Sequence, residues 1–298
     1  AVLLYTEMVT APALVRGGAG HLLDFSPHEH PVACQLGGSD PRELADAAAM
    51  VADVGYDEVN LNVGCPSDRV QSGCFGAVLM ERPALVAECV AAMIDAQPLE
   101  VTVKCRIGVD NQDPQVVLPD FLARIRDAGV SRVAIHARKA WLQGLSPKEN
   151  RDIPPLDYEL VHAMKARFRD LHISINGGIE SLDQAKSHLE AGLDGVMIGR
   201  AVYHDPYGVL AAADAEIFSK EGDTRSRTSV ALAMRPYIEQ HLAAGGRLHS
   251  VTRHMLGLFT GQPGARTWRR HLSEHGHARG AGIGVLEDAL DAMQSRAA

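Results

Sequence analysis

Cys65 sits in the segment Asn62-Val63-Gly64-Cys65-Pro66, which follows the alternating run Asp57-Glu58-Val59-Asn60-Leu61. Alternation with a period of two reads as a β-strand and Gly-Cys-Pro as the turn that ends it, so the thiol leaves a sheet where it can meet a substrate. On a parallel α/β barrel that place is the C-terminal mouth, which makes Cys65 the candidate reactive residue. Cys74 lies outside this segment and reads as a loop thiol.

Gln35, Asn62, Lys104, His136 and Asn176 fall in the same way at the C-terminal ends of expected strands. Singly, each has an ordinary explanation: a buried Gln or Asn ties a loop, a His is a satisfied structural group, a Lys snorkels. Their common phase with the strand ends points instead to one lined mouth. Two glycine loops, Asn176-Gly177-Gly178-Ile179 and Gly199-Arg200, follow the last two expected strands. Glycine lets backbone N–H groups approach a phosphate, a helix N-terminus behind them favours its charge, and Arg200 supplies a counter-charge. The set suits flavin mononucleotide (FMN). The glycine loops would take the phosphate, Lys104 the negative charge at the pyrimidine edge of the reduced ring, and Gln35 and Asn62 the ring or substrate amides.

Short β-rich runs that alternate with longer helical patterns up to about residue 220 must position these groups, and they spell the repeat of a parallel sheet. Strands are expected at 3–7, 32–36, 58–62, 101–106, 132–136, 172–176 and 195–198, with helices near 41–54, 83–96, 115–128, 157–168 and 181–191. The fold class is α/β, a TIM (β/α)8 barrel over residues 1–220, followed by a small all-helical domain over 225–298. Seven strands are counted where a barrel has eight, so the opening residues read as strand two and the first strand is expected to be missing from this chain. A linker is expected from Glu221 to Ser229.

Composition narrows the class. With 298 residues and 46% apolar content the chain can bury a barrel-sized core. Five cysteines without a Cys-x-x-Cys pair argue against a disulfide framework or a structural zinc site, and a reducing cytoplasm fits them. No apolar run approaches the roughly 18 residues that span a bilayer, and no basic region precedes the first apolar segment, so neither membrane insertion nor export is expected. The net charge of −8 hides an asymmetry: residues 225–298 carry ten arginines, no lysine and five acids, a charge of +5, and the rest carries −13. An arginine-only appendage beside an acidic body suits a module that contacts phosphates, although a solvated helical face would look similar.

Longer segments carry a resemblance. They include Tyr5-Thr6-Glu7-Met8-Val9-Thr10, His30-Pro31-Val32-Ala33-Cys34-Gln35-Leu36-Gly37-Gly38, Asn62-Val63-Gly64-Cys65-Pro66-Ser67, Val101-Thr102-Val103-Lys104, His136-Ala137-Arg138-Lys139-Ala140-Trp141, Ser146-Pro147-Lys148-Glu149-Asn150-Arg151, Ile175-Asn176-Gly177-Gly178-Ile179 and Thr252-Arg253-His254-Met255-Leu256-Gly257. With them the chain resembles the tRNA-dihydrouridine synthases, in particular their A-type bacterial branch. One departure is the lack of the Ala-Pro-Met segment that ends the first strand in members of that family.

The resemblance implies that NADPH reduces FMN, that hydride then passes to C6 of a uracil in the tRNA D-loop at positions 20 and 20a, and that Cys65 protonates C5. A thiol, with an ordinary pKa of about 8.5, can give up a proton near neutrality and regain it. Covalent attack on the ring is the competing role. His136 would join the cofactor site, Arg138, Lys139, Lys148 and Arg151 would meet phosphate or the target base, and Arg253, Arg266, Arg269 and Arg270 would hold the tRNA body. Two other functions stay open on residues alone: a flavin barrel acting on a small molecule, as in dihydroorotate dehydrogenases, and a tRNA-binding protein without activity.

Overall fold

The computed structural model describes residues 2–67, 73–220 and 225–294. Its centre is a wholly parallel eight-stranded sheet. The strands are β1 (Leu4–Tyr5), β2 (Val9–Thr10), β3 (Val32–Gly37), β4 (Glu58–Val63), β5 (Glu100–Arg106), β6 (Arg132–His136), β7 (His172–Asn176) and β8 (Gly195–Met197). Pairing runs β1-β3-β4-β5-β6-β7-β8 with β2 also on β3, the curled parallel arrangement of a TIM barrel; among the described residues no pairing joins β8 to β1.

Each crossover is set by local chemistry. Helix α2 (Pro41–Val54), which follows the short α1 (Ala11–Val15), starts at Asp40. That side chain accepts from the N–H groups of Arg42 and Glu43 at 2.9 and 3.0 Å. Pro41 occupies the first turn, where no N–H is needed, and Gly55 ends the helix in the left-handed region at φ 96°. Its apolar stripe of Leu44, Ala47, Ala48 and Val51 is fully buried. Helices α3 (Pro83–Ala96), α4 (Pro114–Asp127), α5 (Tyr158–Arg167) and α6 (Leu182–Glu190) complete the alternation, within a residue or so of expectation.

The first expected strand, 3–7, forms only as β1 at Leu4–Tyr5, and a further short strand, β2, lies beyond it. Leu4 and Tyr5 pair with Val32 and Ala33, whereas Val9 and Thr10 pair with Leu36 and Gly37, so Thr6–Met8 stand opposite only Cys34 and Gln35. This is a bulge, and the Thr6 hydroxyl stabilises it by accepting from the Gln35 N–H at 3.0 Å.

Every position of β3 and β4 is buried, as expected for strands covered on both faces. The two faces differ in kind. Val59, Leu61 and Val63 of β4 belong to one face, while Glu58, Asn60 and Asn62 alternate onto the other, where they meet polar groups of β3 and β5.

Contacts divide the chain into two compact units, Ala1–Ile179 with Asp183–Met197, and Glu180–Leu182 with Ile198–Ala298. Residues 198–220, which the sequence pattern assigns to the barrel, therefore group with the helical unit. The expected linker falls partly at 221–224, outside the described residues. The second unit holds α7 (Arg200–His204), α8 (Pro206–Leu210), α9 (Ala213–Glu216), α10 (Arg227–Ala233), α11 (Arg235–Ala243), α12 (Leu248–Thr252), α13 (Ala265–His275) and α14 (Gly284–Gln294). Helices α10 to α14 share a core with Trp268, which is fully buried, donates from Nε1 to the Met255 carbonyl at 3.1 Å and lies edge-on to Phe259. Among the described residues no helix is long and apolar enough to cross a membrane, and no three metal-ligating side chains gather.

Candidate active site

Cys65 lies two residues beyond the end of β4 and is half-buried. Its backbone N–H and that of Gly64 both donate to Asn62 Oδ1 at 3.0 Å, so Asn62 folds the chain back over its own strand end. The Cys65 carbonyl accepts from the Ala77 N–H at 2.9 Å, and Sγ approaches Ser67 Oγ at 3.6 Å. The thiol is thus carried on a turn held from three sides. Cys34, Cys89 and Cys105 are buried, and burial pushes their thiols up to about 11, 12 and 12. They stay protonated and inert at neutral pH. Cys74 is exposed at φ 57°.

Lys104 and Arg106 both lie within electrostatic reach of the Cys65 sulfur. Lys104 Nζ donates to Asn176 Oδ1 at 3.2 Å, and among the described residues no carboxylate pairs with it. Desolvation, helped by the neighbouring Arg106 charge, lowers its ammonium to about 8, although part of the side chain stays accessible. A cation in that condition is poised for an anion. Asn176 is fixed at its other end by donating from Nδ2 to the Met197 carbonyl at 2.8 Å.

Gly177 and Gly178 have φ of 109° and 71°. A Cβ on Gly177 would stand 2.4 Å from the ring of His136, which is buried, and one on Gly178 would stand 2.7 Å from Leu156. Tyr158 Oη donates to the Gly177 carbonyl at 2.6 Å. Both glycines are therefore required by backbone and by space. They belong to the first unit, whereas Gly199 and Arg200, both exposed, open the second unit at the start of α7.

Gln35 and Asn62 are more committed internally than the sequence suggests. Asn62 Nδ2 donates to Gln35 Oε1 at 2.7 Å, and Gln35 Nε2 donates to Asn60 Oδ1 at 2.8 Å. These bonds leave each side chain one amide hydrogen for a ring or a substrate. Arg138 and Lys139, expected to face a bound nucleotide, place their head groups on the chain's own carbonyls. Arg138 donates to Pro154, and Lys139 donates to Gln112 at 3.0 Å while lying over the Trp141 ring at 5.4 Å. Lys148 and Arg151 are exposed beside them.

Sequence reasoning missed Arg106 and Asn150. Arg106, buried, donates to the carbonyls of Gly64, Lys139 and Asn150 at 3.2, 3.2 and 2.8 Å, so one guanidinium ties the Cys65 turn to the loop after β6. Burial lowers it to about 10. Asn150, fully buried, accepts from the Trp141 N–H at 2.7 Å and donates to the Trp141 and Leu145 carbonyls. The signal for Arg106 was present: it shares the parity of Thr102 and Lys104 on β5.

In the helical unit Arg266, Arg269 and Arg270 are exposed along one face of α13, whose other face buries Ala265, Trp268 and Leu272. Arg253 is exposed and donates from Nε to His254 at 2.9 Å.

The family described as Dihydrouridine synthase (Dus) matches residues 1–294. The chain is similar to the tRNA-dihydrouridine(20/20a) synthase of Vibrio vulnificus, 56% identical over 289 residues that cover 97% of this chain and 88% of that protein. The protein of the same name from Shewanella oneidensis is 56% identical over 98% of this chain and 87% of its own length. That from Escherichia coli K12 is 57% identical over 97% of this chain and 83% of its own length.

Proposed function

We propose, from the premise that the chain belongs to the dihydrouridine synthase family, that it reduces uridine to 5,6-dihydrouridine in the D-loop of tRNA, at positions 20 and 20a. The observation that carries this reading is the half-buried thiol of Cys65, held on a strand-end turn beside a cation that lacks an acidic partner among the described residues.

The residues present fit FMN. Lys104 is a desolvated ammonium with no carboxylate partner among the described residues, and Gly177 and Gly178 are positions where only glycine fits against His136, Leu156 and Tyr158. Lys104 and Asn176 would hold the pyrimidine edge of the ring, the glycines the phosphate, and Gln35, Asn62 and His136 the remaining polar edges. Bound FMN, reduced by NADPH, supplies a hydride. The chain's own part is then to hold the uracil with C5 above the Cys65 thiol and to deliver one proton there. The double bond between C5 and C6 gains a hydride at C6 and that proton at C5, and the thiolate left on Cys65 is re-protonated from solvent.

A uridine inside folded RNA must leave its stack to reach such a turn. Lys148 and Arg151 in the first unit, and Arg253, Arg266, Arg269 and Arg270 in the second, are exposed cations suited to the phosphates around it. This arginine face favours RNA over a free small molecule as substrate. Five free thiols suit a reducing cytoplasm.

The test is anaerobic. The purified protein loaded with FMN should bleach on adding NADPH and regain its absorption on adding unmodified tRNA, but not on adding free uridine. Recovery with both would support the small-molecule reading, and recovery with neither would end the proposal.

A further inference from the structure

Beneath Cys65 the barrel interior contains a continuous file of buried polar side chains, of which the proposed chemistry uses only the upper end, Gln35 and Asn62. Thr102 Oγ1 donates to Glu58 Oε1 at 2.5 Å, and Asn60 Nδ2 donates to Thr102 Oγ1 at 2.8 Å. Gln35 Nε2 donates to Asn60 Oδ1 at 2.8 Å, Asn62 Nδ2 to Gln35 Oε1 at 2.7 Å, and the Gly64 and Cys65 N–H groups to Asn62 Oδ1 at 3.0 Å. Glu58, Asn60, Asn62, Gln35 and Thr102 are each at most 9% exposed. The file spans β4 from Glu58 to Asn62, about 13 Å at strand rise.

Every bond points the same way, toward Glu58. Glu58 Oε1 accepts from both Thr102 and Tyr5, so the single hydroxyl hydrogen of Thr102 is spent there and its oxygen accepts from Asn60. Asn60 then turns Oδ1 to Gln35, Gln35 turns Oε1 to Asn62, and Asn62 is left presenting Oδ1 to the two N–H groups of the Cys65 turn. Burial raises the Glu58 carboxyl, while donation from Thr102 and Tyr5 and the charge of Arg132 at 3.6 Å oppose this.

We infer that Glu58 is a positioning residue for Cys65: as the accepting terminus of the file it fixes the orientation of Asn62 through Thr102, Asn60 and Gln35, and so holds the turn that carries the thiol. This rests on Cys65 being the proton donor of the proposed reaction, but its structural part can be read without that reaction. Exchanging Glu58 for glutamine keeps the volume and removes the direction. The amide oxygen would turn to Arg132 and the NH2 to Thr102, each amide along the file would reverse, and Asn62 would bring its own NH2 against the Gly64 and Cys65 N–H groups.

The experiment measures residue-resolved amide hydrogen exchange in the full chain, together with kcat and KM for tRNA in the FMN-loaded enzyme. Glu58→Gln should speed exchange at Gly64 and Cys65 by about tenfold, the worth of one hydrogen bond, and lower kcat by a similar factor at unchanged KM. Thr102→Val should do the same and Thr102→Ser should restore both readings. Tyr5→Phe removes the second donor to Glu58 Oε1, a hydroxyl that also neighbours Thr102, but leaves the Thr102 hydrogen directed at Glu58, so it should leave exchange at Cys65 as in the parent whatever it does to overall stability. The inference is overturned if Glu58→Gln and Thr102→Val leave Gly64 and Cys65 as protected as before, or if Tyr5→Phe loosens them equally. If the parent protein forms no dihydrouridine, the functional reading fails while the exchange result still decides the role of Glu58.

Discussion

Replacing Lys104 by methionine should make the apoprotein more stable and the flavin complex weaker. The lysine's ammonium falls from 10.5 to about 8, chiefly through desolvation. Some 2.5 pKa units correspond to roughly 3 kcal/mol of unfavourable burial at neutral pH, and partial exposure reduces this. Methionine fills much the same volume without the charge but loses the 3.2 Å bond to Asn176, worth about 1 kcal/mol. The net gain should be about 1–2 kcal/mol at pH 7. Its pH dependence has a definite sign. Below pH 8 the lysine is protonated both folded and unfolded, and the whole cost is present. Between about 8 and 10.5 the folded chain sheds its proton first, so the parent gains stability as pH rises and the advantage of Lys104→Met disappears. Denaturant unfolding of the FMN-free proteins at pH 7 and pH 9.5 reads both effects. With FMN present the order should reverse, and FMN affinity in Lys104→Met should fall at least about tenfold. An apoprotein destabilised by Lys104→Met at pH 7, with no convergence at higher pH, would mean that Lys104 already has its counter-charge, and the case for an anionic ligand there would collapse.

Other outcomes follow from the same geometry. Cys65→Ala should lower dihydrouridine formation by at least about a hundredfold while FMN and tRNA binding, followed by absorbance and filter retention, stay at parent values. Gly177→Ala places a methyl 2.4 Å from the His136 ring at a φ of 109°, so it should cost about 2 kcal/mol or more in unfolding experiments and weaken FMN retention during gel filtration. Arg269→Ala combined with Arg270→Ala should weaken tRNA binding and flatten the log–log dependence on salt by about 0.7–0.9 for each phosphate that is no longer neutralised. An unchanged slope in that titration would assign these arginines to solvent rather than to RNA.

Much of the barrel was legible because its signals are local. Asp40-Pro41 and Gly55 bracket α2 within the sequence itself, and the alternation through Glu58–Asn62 gives β4. His136 and Asn176 could be placed at strand ends, and Cys65 just beyond one, because each position follows from strand phase alone. What escaped depends on partners far along the chain. The bulge at Thr6–Met8 exists only in register with β3, 27–28 residues away. Asn60 and Thr102 look like unremarkable strand residues until they are seen bonded across 42 positions, and Gln35 reaches its partners across 25 and 27. Arg138 and Lys139 were legible as cations, but the carbonyls of Pro154 and Gln112 that receive them are set by loop packing. The grouping of residues 198–220 with the helical unit likewise reflects tertiary contacts, among them Asp205 with Arg227, rather than any break in composition.

The most direct measurement of the central claim is mass spectrometry of nuclease fragments from unmodified tRNA after incubation with the FMN-loaded protein and NADPH. The expected result is a gain of the mass of two hydrogens confined to D-loop uridines at positions 20 and 20a, absent with Cys65→Ala. Unaltered fragments from an enzyme that oxidises NADPH, or the same yield from Cys65→Ala, would contradict the account.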